Sequence, residues 1–477
     1  MSENPYRQNK DEIRELLLQY HNFKTGKKFA FMEEDSFERL IDYFDDKDDL
    51  PAAMEAVNYA VEQFPYSSTL QIKKADLLIA NRHYGEALSL LEKVELLDSS
   101  NINIYILKTD AHLALENHEN AAGLLEKAIH LFEGEERTEL LFELADVYDD
   151  YEEFDKVFNC LKLILEQDPV NEEALYKICF WTEYTGRNEE SIRLHQQIID
   201  EHPYTQLAWF NLGAAYQGLK LYEKSIDAYQ YAIAIDEKFD YAYRNIGDAY
   251  LRLHKYKEAI EALQKVLELS IPEEVIYEAL GHCYEKLKNY SQARINYRKA
   301  SHLNSTDSHL YYKIALTYMS EGNWESGVKH LENAMRINRS QPDFHFALAT
   351  CYRHLEMIRE AVVHFSSFIK SRPRNINGWK ELIRCLYDAG YYDDALEQVL
   401  NAQKSTGGKP LFIFYQAAVL FALGKPKEAI LVLENAIRQS PKLIKQFVEL
   451  DPSLLQQQPV VELIARYKTR SPRMKKR

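Results

Sequence analysis

The segment Ser405-Thr406-Gly407-Gly408-Lys409 carries the small residues and the lysine with which a phosphate loop cradles a nucleotide. It lacks the first glycine of such a loop, follows no strand and runs into Pro410, so it reads as a turn between helices. Asp45, Asp46, Asp48 and Asp49 crowd carboxylates around Lys47, which would attract a cation only weakly; the cluster reads as a solvated turn. His282 and His354 stand without the nucleophile and orienting group that catalysis needs. No HExxH, GxSxG or EF-hand pattern occurs. Cys160, Cys179, Cys283, Cys351 and Cys385 are odd in number and widely spaced, with no CxxC pair. They read as reduced thiols between helices, which favours a reducing compartment, and no catalytic centre, metal or cofactor is expected.

Composition narrows the class further. The 477 residues are 46% hydrophobic and 28% charged, with only 16 Gly and 14 Pro, a balance that suits long helices. Lys and Arg number 58 against 74 Asp and Glu, a net charge of −16 that disfavours general binding to nucleic acid or anionic membranes. No stretch approaches the ~20 apolar residues of a membrane span, and the N-terminus has no secretory core, so a soluble cytoplasmic protein without membrane insertion is expected.

The elements that would position any site follow from a repeat. Trp209, Leu212, Gly213 and Tyr216 are echoed by Tyr243, Ile246, Gly247 and Tyr250, then by Tyr277, Leu280, Gly281 and Tyr284, a spacing of 34 residues. Small residues keep the same register from Ala53, Ala87 and Ala121 through Ser191, Ser225 and Ala259 to Ala395 and Ala429. One step is longer, and the two extra residues fall near Glu133 to Glu136. With Glu34 as position 1, each repeat is two amphipathic helices. Large residues at positions 4, 7 and 11 of the first helix face the second. Position 8 is small because the two backbones approach closely there, and the second helix carries a small residue at position 20 and a large one at position 24, as in Tyr229, Tyr297 or Phe365, so that large and small surfaces interlock. Position 32 is often Pro, as at Pro65, Pro169, Pro203, Pro373 and Pro441, which stops the second helix. Tyr216, Tyr250, Tyr284, Tyr318 and Tyr352 at position 11 are expected to form a buried core column.

This W-x-x-L-G-x-x-Y…A-x-x-x-F…P pattern resembles the tetratricopeptide repeat (TPR) family, as a multi-repeat array of the bacterial type. The resemblance is fullest in repeats six to nine; repeats two, three, five and eleven are degenerate, with Gln71 at position 4 of repeat two. It implies an all-α fold, a right-handed superhelical α-solenoid of about twelve helix-turn-helix units with capping helices. Residues 1–33 are then an N-terminal capping segment, 34–443 the array, and 444–477 the C-terminal capping helices and a basic tail ending in Lys475, Lys476 and Arg477. That tail reads as a solvated segment.

By the resemblance, positions 2, 5, 9 and 12 of the first helices line a concave groove. Repeats four and five place Glu139, Phe142, Asp146, Asp149, Glu173, Tyr176, Phe180 and Glu183 there. Later repeats place Arg244, Tyr312, Phe346, Arg353, Lys380, Arg384 and Tyr387 there, with Arg252 at the adjacent position 13. The groove is therefore expected to be acidic early and more basic late. Asn211 and Asn245 at position 6 are similar to the asparagine ladder of O-linked N-acetylglucosamine transferase, which binds the peptide backbone. The Lys-Asn-Asn-Lys-Arg set of the chaperone-tail clamp cannot be assembled here. The resemblance thus implies a non-enzymatic scaffold or adaptor holding a protein or peptide partner in its groove. Two alternatives remain open: an enzyme or its regulatory subunit with chemistry hidden in the groove, and self-association.

Overall fold

The computed structural model describes residues 5–25 and 31–470. Among these, twelve helix pairs follow one another with no strand. The chain forms two compact bodies, one running to Asn245 and the other from Ile246. Each body is an α-solenoid in which helix pair stacks on helix pair. The first helices start at position 1, as in Ser68–Ala80, Glu172–Thr185, Gln206–Gly218 and Ser308–Ser320. The second helices start at position 17, as in Tyr222–Ile235 and Trp324–Ile337. Side chains of Ser67, Asn171, Asp307 and Asn375 cap first helices by accepting the otherwise orphaned N–H groups of Leu70, Ala174, His309 and Gly378.

The helix crossing within each pair sits where the spacing places it. A Cβ added to Gly213 would lie 2.6 Å from the ring of Tyr229, and one added to Gly281 would lie 2.5 Å from that of Tyr297. Both tyrosine side chains are fully buried, so glycine at position 8 is the space that position 24 occupies.

The position 11 column differs from expectation. Tyr216, Tyr318 and Tyr352 are only half-buried. Their hydroxyls meet the preceding second helix: Gln196 Nε2 donates to Tyr216 over 3.0 Å, Arg298 donates to Tyr318 over 2.8 Å, and Tyr352 donates to Glu332 over 3.4 Å. A phenol ring buries its body and keeps its polar tip at the rim, which is why tyrosine rather than phenylalanine recurs there.

Position 4 shows a second recurring device. The side chains of Gln71, Trp209 and Trp379 donate to the carbonyls of Pro65, Pro203 and Pro373, six residues earlier. Tyr105 and His345 reach the carbonyls of Ser99 and Arg339 across the same interval, so the device ties a carbonyl at the entry to a repeat whether or not proline stands there. Gln71 departs from the aromatic pattern but makes the same bond, at 2.5 Å.

The first helix of repeat four is longer than its counterparts. It runs Gly134–Asp150 and begins at Gly134, whose φ is +63°. The two extra residues are absorbed there. The helix Pro5–Lys24 lays Tyr20 against Phe37, Phe44 and Tyr59 of repeat one, with ring centroids 6.2–6.5 Å apart. After the last repeat, helices Ile444–Leu450 and Gln458–Arg470 bury Phe447, Leu450, Val460 and Ile464. The terminal cations Lys475, Lys476 and Arg477 lie outside the described residues.

Candidate functional site

The expected groove residues divide into those committed to the fold and those left available. Asn211 is corrected outright. It is buried, its Nδ2 donates to the Leu175 carbonyl over 2.7 Å, and it lies 3.2 Å from Nε2 of His195. Its amide therefore joins repeats five and six and does not face a ligand. Asn245 Nδ2 donates to the Tyr229 hydroxyl over 3.2 Å. Tyr387 is also corrected: it is buried, and its hydroxyl donates to Asp451 in the segment after the last repeat, over 2.8 Å.

The late cations are less free than their spacing suggests. Arg353 lies 3.4 Å from Glu381, Arg384 lies 3.8 Å from Asp388, and Arg252 lies 3.5 Å from Asp248. Acidic residues one turn away, or on the next first helix, offset the expected positive charge. Tyr312 lies 5.1 Å from the Phe344 ring, and Phe346 packs against Phe365 and Phe368 at 5.7 and 5.0 Å. Arg244 and Lys380 are half-buried.

The N-terminal body presents a different face. Carboxylates stand at position 9 in repeats one to four, as Asp42, Asp76, Asp110 and Asp146. Asp42 pairs with Lys73. Asp76 and Asp110 make no ion pair or side-chain hydrogen bond among the described residues. Partial loss of solvent, and then repulsion from Asp45, raises the pKa of Asp76. Burial and then Asp76 raise that of Asp110. Burial followed by Asp110, Asp146 and Glu139 raises that of Glu143, against a smaller opposing pull from Lys177. Asp149 is raised by burial and then by Asp150 and Asp146. The carboxylates from Asp45 to Asp149 are thus consecutive electrostatic neighbours across four repeats. Asp76 and Asp110 fall in the degenerate repeats two and three, where a reading weighted to repeats four and five passes over them. Their shared position 9 was the available signal.

Beside this column lies a cavity of about 760 Å³, bounded by the lengthened helix of repeat four and by repeat five. Glu135, Glu139, Glu143, Asp146 and Glu173 line it, with Phe142 and Lys177. The Lys177 ammonium sits 4.9 Å from the centre of the Phe142 ring, 2.8 Å from Glu173 and 3.9 Å from Asp146. On the adjoining first helix Tyr176, Phe180 and Tyr184 are 72%, 60% and 60% exposed.

Nucleophile chemistry finds little support. Burial pushes the Cys160 and Cys179 thiols up to about 12, and Cys283 and Cys385 up to about 11, the reverse of an activated thiolate. All five thiols are free. No group of three or more His, Cys, Asp or Glu poised to hold a metal occurs among the described residues. His354 is stacked on Trp324 with centroids 3.9 Å apart, and burial lowers its pKa. Ser405 ends helix Tyr392–Ser405, and residues 406–409 are the turn into helix Pro410–Ala422, with Gly407 and Gly408 at φ +73° and +71°.

Residues 214–345 match the family model of the tetratricopeptide repeat protein 21 C-terminal ARM domain. No curated protein matches the chain in sequence. Several solved structures are similar to it. One is YrrB, a TPR protein with an unusual peptide-binding site, at 18% identity over 39% of this chain and 95% of that one, TM-score 0.35. Another is the APC/C hetero-tetramer Cut9–Hcn1, at 14% identity over 88% and 94%, TM-score 0.34. A third is the C-terminal part of a TPR repeat-containing protein from Cytophaga hutchinsonii, at 15% identity over 54% and 99%, TM-score 0.44. The 34-residue register, the helix pairs that realise it and the family model matched over residues 214–345 support a TPR-type repeat fold for this chain.

Proposed function

We propose that the chain is a non-enzymatic scaffold that holds an extended segment of a partner protein along the first-helix face of its N-terminal body. The observation that carries this reading is the exposed row of Tyr176, Phe180 and Tyr184 beside the cavity of repeats four and five. Large rings left in water on successive turns of one helix, next to a concavity, are features of a binding surface. The rest of the expected groove set is secondary in this reading, with Tyr312, Phe346, Lys380 and Arg384 on the C-terminal body as further contacts. The raised thiols favour a scaffold over hidden chemistry, and free cysteines suit a reducing compartment such as the cytoplasm. No helix among the described residues is long and apolar enough to cross a membrane.

Site-specific photo-crosslinking tests this. A crosslinker replacing Phe180 captures the partner in the native host, whereas one replacing Leu431, an exposed residue on a second helix, does not. Equal capture from both positions removes the first-helix face as the binding surface.

A further inference from the structure

We infer that the segment held on this face is cationic: an extended stretch of a partner protein whose lysine or arginine side chains lie along the carboxylate column and enter the cavity of repeats four and five. The inference rests on the scaffold reading and supplies its ligand chemistry. Beyond the effect of burial, Asp45 raises the proton affinity of Asp76, Asp76 that of Asp110, and Asp110 with Asp146 that of Glu143. Among the described residues Asp76, Asp110 and Glu143 have no ion-pair partner; Lys73, paired with Asp42, also pulls on Asp76, and Lys177, beside Asp146, pulls on Glu143. Like charges gathered on one face oppose folding. A basic guest removes the repulsion.

The cavity shows how such a guest is held. Lys177 already places an ammonium over the Phe142 ring between Glu173 and Asp146, an aromatic floor with anionic walls. That is the environment a lysine or arginine head seeks. The cavity, at about 760 Å³, is larger than one side chain requires, so a second cation fits beside or in place of Lys177. Tyr176 and Phe180 next to it offer ring faces to the guest's aliphatic stems or to further cations. The acidic column, the ring-floored cavity and the exposed aromatic row occupy one continuous run of first helices within a single body.

The test uses the full chain and fluorescent peptides of about twelve residues that alternate leucine with lysine, with glutamate or with serine. The lysine peptide binds, and its affinity falls with added salt. Combining Asp76→Asn, Asp110→Asn and Glu143→Gln weakens it about tenfold or more. Removing equal charge from second helices with Glu189→Gln, Glu223→Gln and Glu258→Gln changes it less than about threefold. The column substitutions relieve repulsion, so the variant folds and a loss of binding is not a loss of structure; an unshifted helical melt checks this. Equal weakening by both triple variants overturns the inference, because the attraction is then that of net charge. Binding of the glutamate or serine peptide in preference also overturns it, while leaving the scaffold reading intact. A doubled light-scattering mass that the column substitutions abolish assigns the face to a second copy of the chain and overturns it too. If no peptide of any charge binds while the Phe180 crosslink still captures a partner, the cationic ligand is wrong and the scaffold is not.

Discussion

His195 occupies position 24 of repeat five, the place taken by the fully buried Tyr229 and Tyr297 in repeats six and eight. Its ring is completely buried, with Nδ1 2.7 Å from the Ser191 carbonyl and Nε2 3.2 Å from Asn211 Nδ2. The carbonyl can only accept, so Nδ1 carries the proton and Nε2 accepts from Asn211. A second proton would turn Nε2 into a donor facing the amide N–H₂. Rotating that amide would leave the Leu175 carbonyl facing an oxygen. Burial therefore pushes the pKa of His195 down to about 4, with the bond to the Ser191 carbonyl a smaller opposing influence. The sign follows directly: the unfolded chain takes up this proton at about pH 6.5 and the folded chain only near pH 4. The contribution is intact above pH 6.5 and is lost as pH falls through that window, by about 2 kcal/mol at pH 5. Hydrogen exchange of repeats five and six, corrected for intrinsic rates, shows this loss in the wild type. In His195→Leu the acid-dependent part is gone, whatever the absolute stability. An acid response that survives the substitution places its origin elsewhere.

At the scale of the helix pair, the turn between the two helices is more regular than its residue types. Position 15 takes a left-handed conformation in every repeat. It is glycine at Gly186, Gly322, Gly390 and Gly424, but Arg82, Glu116, Lys220, Lys288 and Glu356 also have φ between 58° and 63°. A residue with a Cβ is strained there, and the helix geometry imposes the conformation regardless. Lys220→Gly, Lys288→Gly and Glu356→Gly are each expected to stabilise by about 0.5–1 kcal/mol after the entropic cost of glycine, and Gly322→Ala to destabilise. Asp48→Gly gains less, because aspartate tolerates this region. Thermal melts of single variants decide it, and unchanged midpoints for Lys220→Gly and Lys288→Gly would mean the turn relaxes. The same contrast explains what was legible. Apolar spacing, position 8 and the location of the inserted residues were readable because burial constrains residue type there. The side-chain bond from position 4 was not readable, since Gln71 and Trp209 satisfy the same carbonyl with unlike side chains. Asn211 and Tyr387 misled because a position that faces solvent in one repeat is covered in another by His195 or by Asp451.

At the scale of the molecule, the net charge of −16 is unevenly expressed. In the C-terminal body the first-helix cations find carboxylates nearby, as Arg353 does with Glu381, so charge there is largely local. In the N-terminal body the column from Asp45 to Asp149 is collected on one face, where carboxylates outnumber the two lysines, Lys73 and Lys177, that act on it. Its raised carboxylates act on stability in the sense opposite to His195. The folded state holds their protons more tightly than the unfolded chain does, so this repulsion fades as pH falls through their folded-state pKa values and persists above them. Near neutral pH the repulsion is at full strength, and screening is the remaining relief. Raising monovalent salt from about 0.05 to 0.5 M shortens the Debye length from roughly 14 to 4 Å and is expected to protect repeats two to four against hydrogen exchange. In the variant combining Asp76→Asn, Asp110→Asn and Glu143→Gln, those repeats start more protected and gain less from salt. Salt protection of the same size in both proteins means that the carboxylates are already screened by water and that the column costs the fold nothing.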